Sequence, residues 1–132
     1  MTKSNSDKRV TSSNSMIKED IISGKECANS ILAIHDVMDI LNGKWKISII
    51  ACLCHDKMRY TDLLREVKGI SGKMLSRNLK ELEDNLLITR TVLNTQPIMV
   101  EYQITEYGAT LKNVTNVISE WGLKHRKRIM AK

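Results

Sequence analysis

Lys73, Ser76, Arg77 and Lys80 fall inside a single run, GISGKMLSRNLKELEDNLLITR, from Gly69 to Arg90. On a helix their spacing gathers three cations and a hydroxyl on one side. Arginine can grip O6 and N7 of guanine through two hydrogen bonds, and lysine and serine suit phosphates and base edges. Ser71 opens the run, where the free N–H groups and partial positive charge of a helix start favour phosphate. The chemistry on offer is recognition of a polyanion. An enzymatic reading would draw on Cys27, His35, Asp36 and His55 as nucleophile and base, but nothing in the sequence brings them together. No HExxH, G-x-S-x-G or Gly-rich phosphate loop occurs. No ligand cluster has metal-site spacing, so no catalytic residue, metal or cofactor is assigned.

The elements that must position these side chains follow from periodicity. Leu75, Leu79, Leu82 and Leu86 recur at steps of four, three and four, which makes one apolar stripe opposite the cations. Ser71 is the expected N-cap, with Ile70 and Leu75 at the two positions of a hydrophobic staple. Before it, Thr61 reads as the N-cap of a short helix carrying Asp62 in its first turn, with Leu63, Leu64 and Val67 facing inward and Gly69 as its stop. Helix, short Gly-containing turn and helix is the spacing of a helix-turn-helix. After Leu87 the pattern turns to β: Ile88–Val92 as a strand, Asn94–Pro97 as a turn, and Val100–Ile104 in strict alternation. A second helix in the major groove, about 12 Å wide, with a hairpin lying beside it is a known DNA-reading arrangement. Taken alone, the cationic side could be a mere solvated face; its place between a capped turn and a hairpin favours DNA.

Upstream, a short helical piece is expected over Met16–Ile22, stopping at Gly24. A helix from Asn29 carries Ile34, Val37 and Leu41 as a stripe and ends at Asn42-Gly43. Lys44–Cys54 is apolar on nearly all sides and belongs in a core, and Met58–Tyr60 is long enough only for an edge strand. Thr105 should cap one final helix with Tyr107, Leu111, Val114, Ile118 and Trp121 at steps of four, three, four and three. That near-3.5-residue period is the seam of a helix–helix contact. Leu111, Val114, Ile118 and Trp121 are therefore the expected dimer interface, with Tyr107 left to cover its own domain.

The chain has 132 residues and a net charge of +6, but the basicity is uneven. Residues 1–25 hold five cations and three anions, residues 124–132 five cations and no anion, and residues 26–123 sum to −1. We divide the chain into a polar flexible tail (1–25), one domain (26–123) and a basic tail (124–132). The absence of a signal-peptide core or an apolar stretch of membrane-spanning length points to a cytoplasmic protein. Three cysteines cannot build a disulfide framework; Cys52 and Cys54 read as buried core thiols and Cys27 as an exposed one.

The segments NGKWKISIIACL, MRYTDLLREVKGISGKMLSRNLKELEDNLLITR, PIMVEYQITEYG and EWG occur in the order and spacing of the HxlR-type transcriptional regulators, which the sequence resembles from about Ile34 to Gly122. The resemblance implies a mainly α fold with a small β-hairpin (α+β), a winged helix-turn-helix with a C-terminal dimerisation helix, related in architecture to the MarR regulators. It further implies a homodimer on double-stranded DNA, at a palindromic operator, with the helix from Ser71 in the major groove. Thr95 and Gln96, beside Pro97, then form the tip of the wing. Regulation by operator occupancy follows, repression being favoured over activation; the effector is unknown. Many members carry a sensing cysteine twelve residues before the lysine of the GKW motif, a position held here by Leu32. The wing, which often bears a basic residue, has Ile98-Met99. The competing reading is a winged helix that binds other proteins, which the −1 charge of residues 26–123 keeps open.

Overall fold

The computed structural model describes residues 24–131, so the helical piece expected over Met16–Ile22 and most of the expected N-terminal tail lie outside the described residues. Gly24 itself is helical rather than a stop: helix α1 runs Gly24–Ile40 and includes Cys27. Up to Asp39 it forms a unit by itself, exposing Ile31, Leu32, Ile34, Val37 and Met38 and burying no side chain. The stripe read from Ile34 to Leu41 is therefore not one buried face, since only Leu41 is buried.

Residues 40–132 form the second unit. Its elements are α2 (Lys46–His55), β1 (Met58–Arg59), α3 (Tyr60–Glu66), α4 (Gly72–Asp84), β2 (Ile88–Leu93), β3 (Met99–Ile104), α5 (Glu106–Ala109) and α6 (Lys112–Met130). The three strands form an antiparallel sheet in the order β1-β3-β2, with Arg90 and Met58 both opposite Tyr102, and Val92 opposite Val100. The core draws on every layer: Ile49, Ile50 and Leu53 of α2, Leu63 of α3, Leu75, Leu79 and Leu82 of α4, and Ile88 and Tyr102 of the sheet. The apolar α2 does sit in the middle, packed against α3, α4, α6 and β3.

Several details differ from expectation for local reasons. Helix α3 begins two residues early, with Arg59 rather than Thr61 in the N-cap position. Asp62 accepts from the Arg59 N–H at 3.2 Å and from Arg65 at 2.9 Å. Those two donors, the backbone one first, hold the Asp62 carboxyl below the usual carboxylate range. Thr61 is thus not the cap, and Leu64 points outward while Leu63 and Val67 are buried. Gly69, at φ +91, makes the turn between α3 and α4 in a conformation that a Cβ disfavours.

The leucine stripe of α4 stops at Leu82. Leu86 is 72% exposed and left-handed at φ 64, and Leu87 takes the buried position. The cause is a helix C-terminal motif in which Leu87 N–H donates to Leu82 C=O at 3.0 Å and Leu86 N–H to Glu83 C=O at 2.9 Å. Leu87 and Leu82, both buried, are its apolar pair.

The single final helix is two. Thr105 does cap α5, accepting from Gly108 N–H at 2.9 Å, but the helix breaks at Thr110-Leu111 before α6 begins. Helix α6 packs on α2 through Leu111 and the buried Thr115, whose hydroxyl donates to Lys112 C=O at 2.9 Å. Tyr107 is exposed and does not cover the domain. Residues 124–130, expected as a tail, continue α6 as helix, with Lys127 and Arg128 in its last turn where cations complement the helix dipole.

Candidate nucleic-acid interface

Helix α4 offers its cationic side because its other side is spoken for. Leu75, Leu79 and Leu82 are sealed in the core, and Lys73, Ser76, Arg77 and Lys80 are all exposed. Ser71 performs the structural part of its expected role: its hydroxyl accepts from Met74 N–H at 3.1 Å, fixing the helix start. Ser76 and Tyr60 are linked at 3.2 Å, and the Tyr60 hydroxyl donates to Gly72 C=O at 2.9 Å. Since that uses the only phenolic proton, Ser76 is the donor in the Ser76–Tyr60 bond and keeps its oxygen lone pairs for an incoming donor. Lys80 meets Asp84 at 3.3 Å in an exposed pair, the kind that contributes little and separates readily. Arg77 has no ion pair among the described residues.

The β2–β3 hairpin places Thr95 and Gln96 at its exposed tip, where Thr95 donates its hydroxyl proton to Pro97 C=O at 2.7 Å. Between the hairpin and α4 lies a groove of about 590 Å³, walled by Tyr60, Lys80, Ile98 and Val100 and carrying Arg59 and Arg90. The two arginines were not picked out from sequence. Period two puts Arg90 on the same face as Ile88 and Val92, which is readable from sequence, and strand pairing sets it opposite Tyr102, another lining residue of the groove. Asn78 was also missed; it is buried within α4 and donates to Met74 C=O at 2.7 Å.

A second omission lies behind the cations. Lys46, 3% exposed, donates to Asn42 Oδ1 at 2.9 Å and to the Glu81 carboxylate. The Lys46 contact, with a smaller contribution from the field of Arg77, holds the Glu81 carboxyl below the usual range. No local pattern announces a pair 35 positions apart.

Cys52 and Cys54 are half-buried rather than sealed in the core, and desolvation pushes both thiols up. Cys27 is exposed on α1. Among the described residues no cluster of three or more His, Cys, Asp or Glu could hold a metal, and no helix is long and apolar enough to cross a membrane.

A helix-turn-helix followed by a β-hairpin with three antiparallel strands defines a winged-helix protein. The sequence profile described as HxlR-like helix-turn-helix matches residues 40–130. The chain belongs to this family of helix-turn-helix transcriptional regulators, a family of regulators rather than enzymes. It is 36% identical over 98 residues to the uncharacterized HTH-type transcriptional regulator YtcD of Bacillus subtilis (strain 168), a match spanning 74% of this chain and 78% of that one. Among solved structures, the redox regulator HypR in its reduced form superimposes with a TM-score of 0.69 at 30% identity, covering 76% of this chain and 99% of that chain. The reduced form of the transcriptional regulator YodB from B. subtilis gives 0.59 at 30%, covering 76% and 91%.

Proposed function

We propose that this protein binds double-stranded DNA as a homodimer at an inverted-repeat operator and represses transcription by occupying it. The observation that carries the reading is the exposed Lys73–Arg77–Lys80 side of α4, backed by buried leucines and flanked by the hairpin. Arg77 is the base reader, Lys73 and Lys80 are phosphate contacts, and Ser76 supplies a hydroxyl to either. Ser71 contributes through the N–H groups that it orients at the helix start, and Thr95 and Gln96 reach the backbone from the wing. The homodimer rests on α6, where Val114, Ile118 and Trp121 are exposed apolar residues; Leu111, half-buried against the core, sits at the margin of that surface.

The test is binding to a duplex recovered by the wild-type protein from a random-sequence library. Arg77→Ala should cost about 1–3 kcal/mol on that duplex, whereas Lys73→Ala should weaken all sequences alike and reduce the salt slope by about 1. A folded Arg77→Ala protein with parental affinity would overturn the assignment. Failure to enrich any duplex, or affinity indifferent to salt, would point instead to a winged helix that docks on protein.

A further inference from the structure

The Lys46–Glu81 pair has a consequence for the neighbouring arginine. Glu81 lies four residues after Arg77 on α4, within reach for a helix ion pair. Yet its carboxylate is turned toward Lys46, which approaches from the first turn of α2 and is itself buried. All three side chains, with Asn42, line one depression of about 320 Å³, so Arg77 faces the pair across a shared surface without joining it. Lys46 has no other acidic partner among the described residues and cannot turn to solvent. Glu81 is therefore held by a cation that has no alternative, while Arg77 keeps its donors.

We propose that Lys46 is a positioning residue for DNA recognition: by sequestering Glu81 it prevents an Arg77–Glu81 pair and keeps the base-reading guanidinium free and the recognition surface cationic. The proposal rests on the DNA-binding reading above. It assigns to α2, which reaches no DNA in that reading, control over the charge of α4.

The experiment compares wild type, K46M, E81Q, K46M/E81Q and the conservative K46R, on the duplex recovered by the wild-type protein. It also follows the exchange of the Arg77 Nε–H with water by NMR in the absence of DNA. K46M preserves side-chain volume but frees Glu81; binding should weaken about two- to fivefold and the Arg77 Nε–H should become protected. K46M/E81Q should restore both values, and K46R should keep them. E81Q should melt lower, because Lys46 loses its counter-ion, yet bind DNA at least as tightly as wild type. That separation of stability from affinity is not expected of a merely structural pair. Parental affinity in K46M, a double variant that stays weak, an E81Q that binds more weakly, or an unchanged Arg77 Nε–H would each overturn the proposal. If instead Arg77→Ala binds as wild type, the DNA-binding assignment fails, and the NMR arm still decides whether Lys46 controls the Arg77 charge.

Discussion

Replacing Gly108 by alanine should unfold much of the joint between the hairpin and the final helices. An added Cβ would lie 2.1 Å from the Leu87 carbonyl oxygen and 2.8 Å from Ile104 Cγ1, where separations under 3.0 Å essentially never occur. The offending oxygen is backbone and cannot swing aside. It is also in use, accepting from Thr105 N–H at 3.0 Å and, at 3.1 Å, from the Thr105 hydroxyl, whose one proton it shares with the Leu86 carbonyl at 2.8 Å. Helix α5 and the start of β2 must therefore part by close to 1 Å, which stretches both bonds beyond useful length. Over-packing costs about 1–3 kcal/mol and each lost buried hydrogen bond about 1 kcal/mol, so the sum is roughly 3–5 kcal/mol. Thermal unfolding followed by circular dichroism should show a midpoint lowered by roughly 15–30 °C. Gly122→Ala is the control: it sits inside α6 with nothing within 4 Å of the added Cβ. That change should raise stability by about 0.5–1 kcal/mol through helix propensity. A Gly108→Ala protein that melts like the parent would refute the close-approach argument, as would equal effects at the two positions.

Other expectations are more direct. Leu82→Ala, at a fully buried site facing Leu87, should cost about 2–5 kcal/mol, read by denaturant unfolding. Ile118→Glu should split the proposed dimer and weaken operator binding while leaving the winged domain folded; sedimentation of wild type as a monomer at micromolar concentration would contradict the interface. The lowered Glu81 carboxyl adds stability that is complete above the ordinary glutamate range and is lost as the pH falls through and below it, so Glu81→Gln should flatten the acid limb of a stability–pH curve. Iodoacetamide should label exposed Cys27 well before Cys52 and Cys54, whose thiols are raised. With Leu32 at the position where the resemblance implies a sensing thiol, diamide should not release the protein from DNA; release abolished by Cys27→Ser would reverse that view.

What was legible in the sequence was what is decided within a few residues. Ser71 and Thr105 announce their helices by short hydroxyl contacts to the third residue on, and both contacts form. The hairpin was legible because alternation from Val100 to Ile104 is a local rule, and β3 covers that stretch. The exposed side of α4 followed from the leucines, since a helix that buries one stripe must present the other. What escaped is set by tertiary partners. Lys46 lies in a helix read only as apolar, and what gives it a role is Glu81, 35 positions away. Leu86 satisfied the stripe arithmetic, but helical phase ended two residues before it. The break at Thr110-Leu111 turns α6 so that Thr115 meets the core, a choice no periodicity could announce. The run KHRKR looked like a tail because charge suggests solvent, although lysine and arginine are good helix formers.

Leu86 leaves the connection between α4 and the hairpin open to improvement. A branched, apolar side chain sits in solvent at a backbone angle that suits glycine or asparagine, and the peptide groups on either side are already bonded to the end of α4. For a non-glycine residue the left-handed conformation costs about 1–2 kcal/mol, partly offset by the greater unfolded-state freedom that glycine would bring. No packing would be disturbed by the exchange, because the apolar contact belongs to Leu87. An engineer wanting a sturdier version of this protein could therefore begin at a residue that touches neither the core nor the proposed DNA surface. The hairpin's departure from α4 is set there by the left-handed turn and its two N–H bonds to the helix end, so the joint is held by backbone and not by the side chain that happens to occupy it.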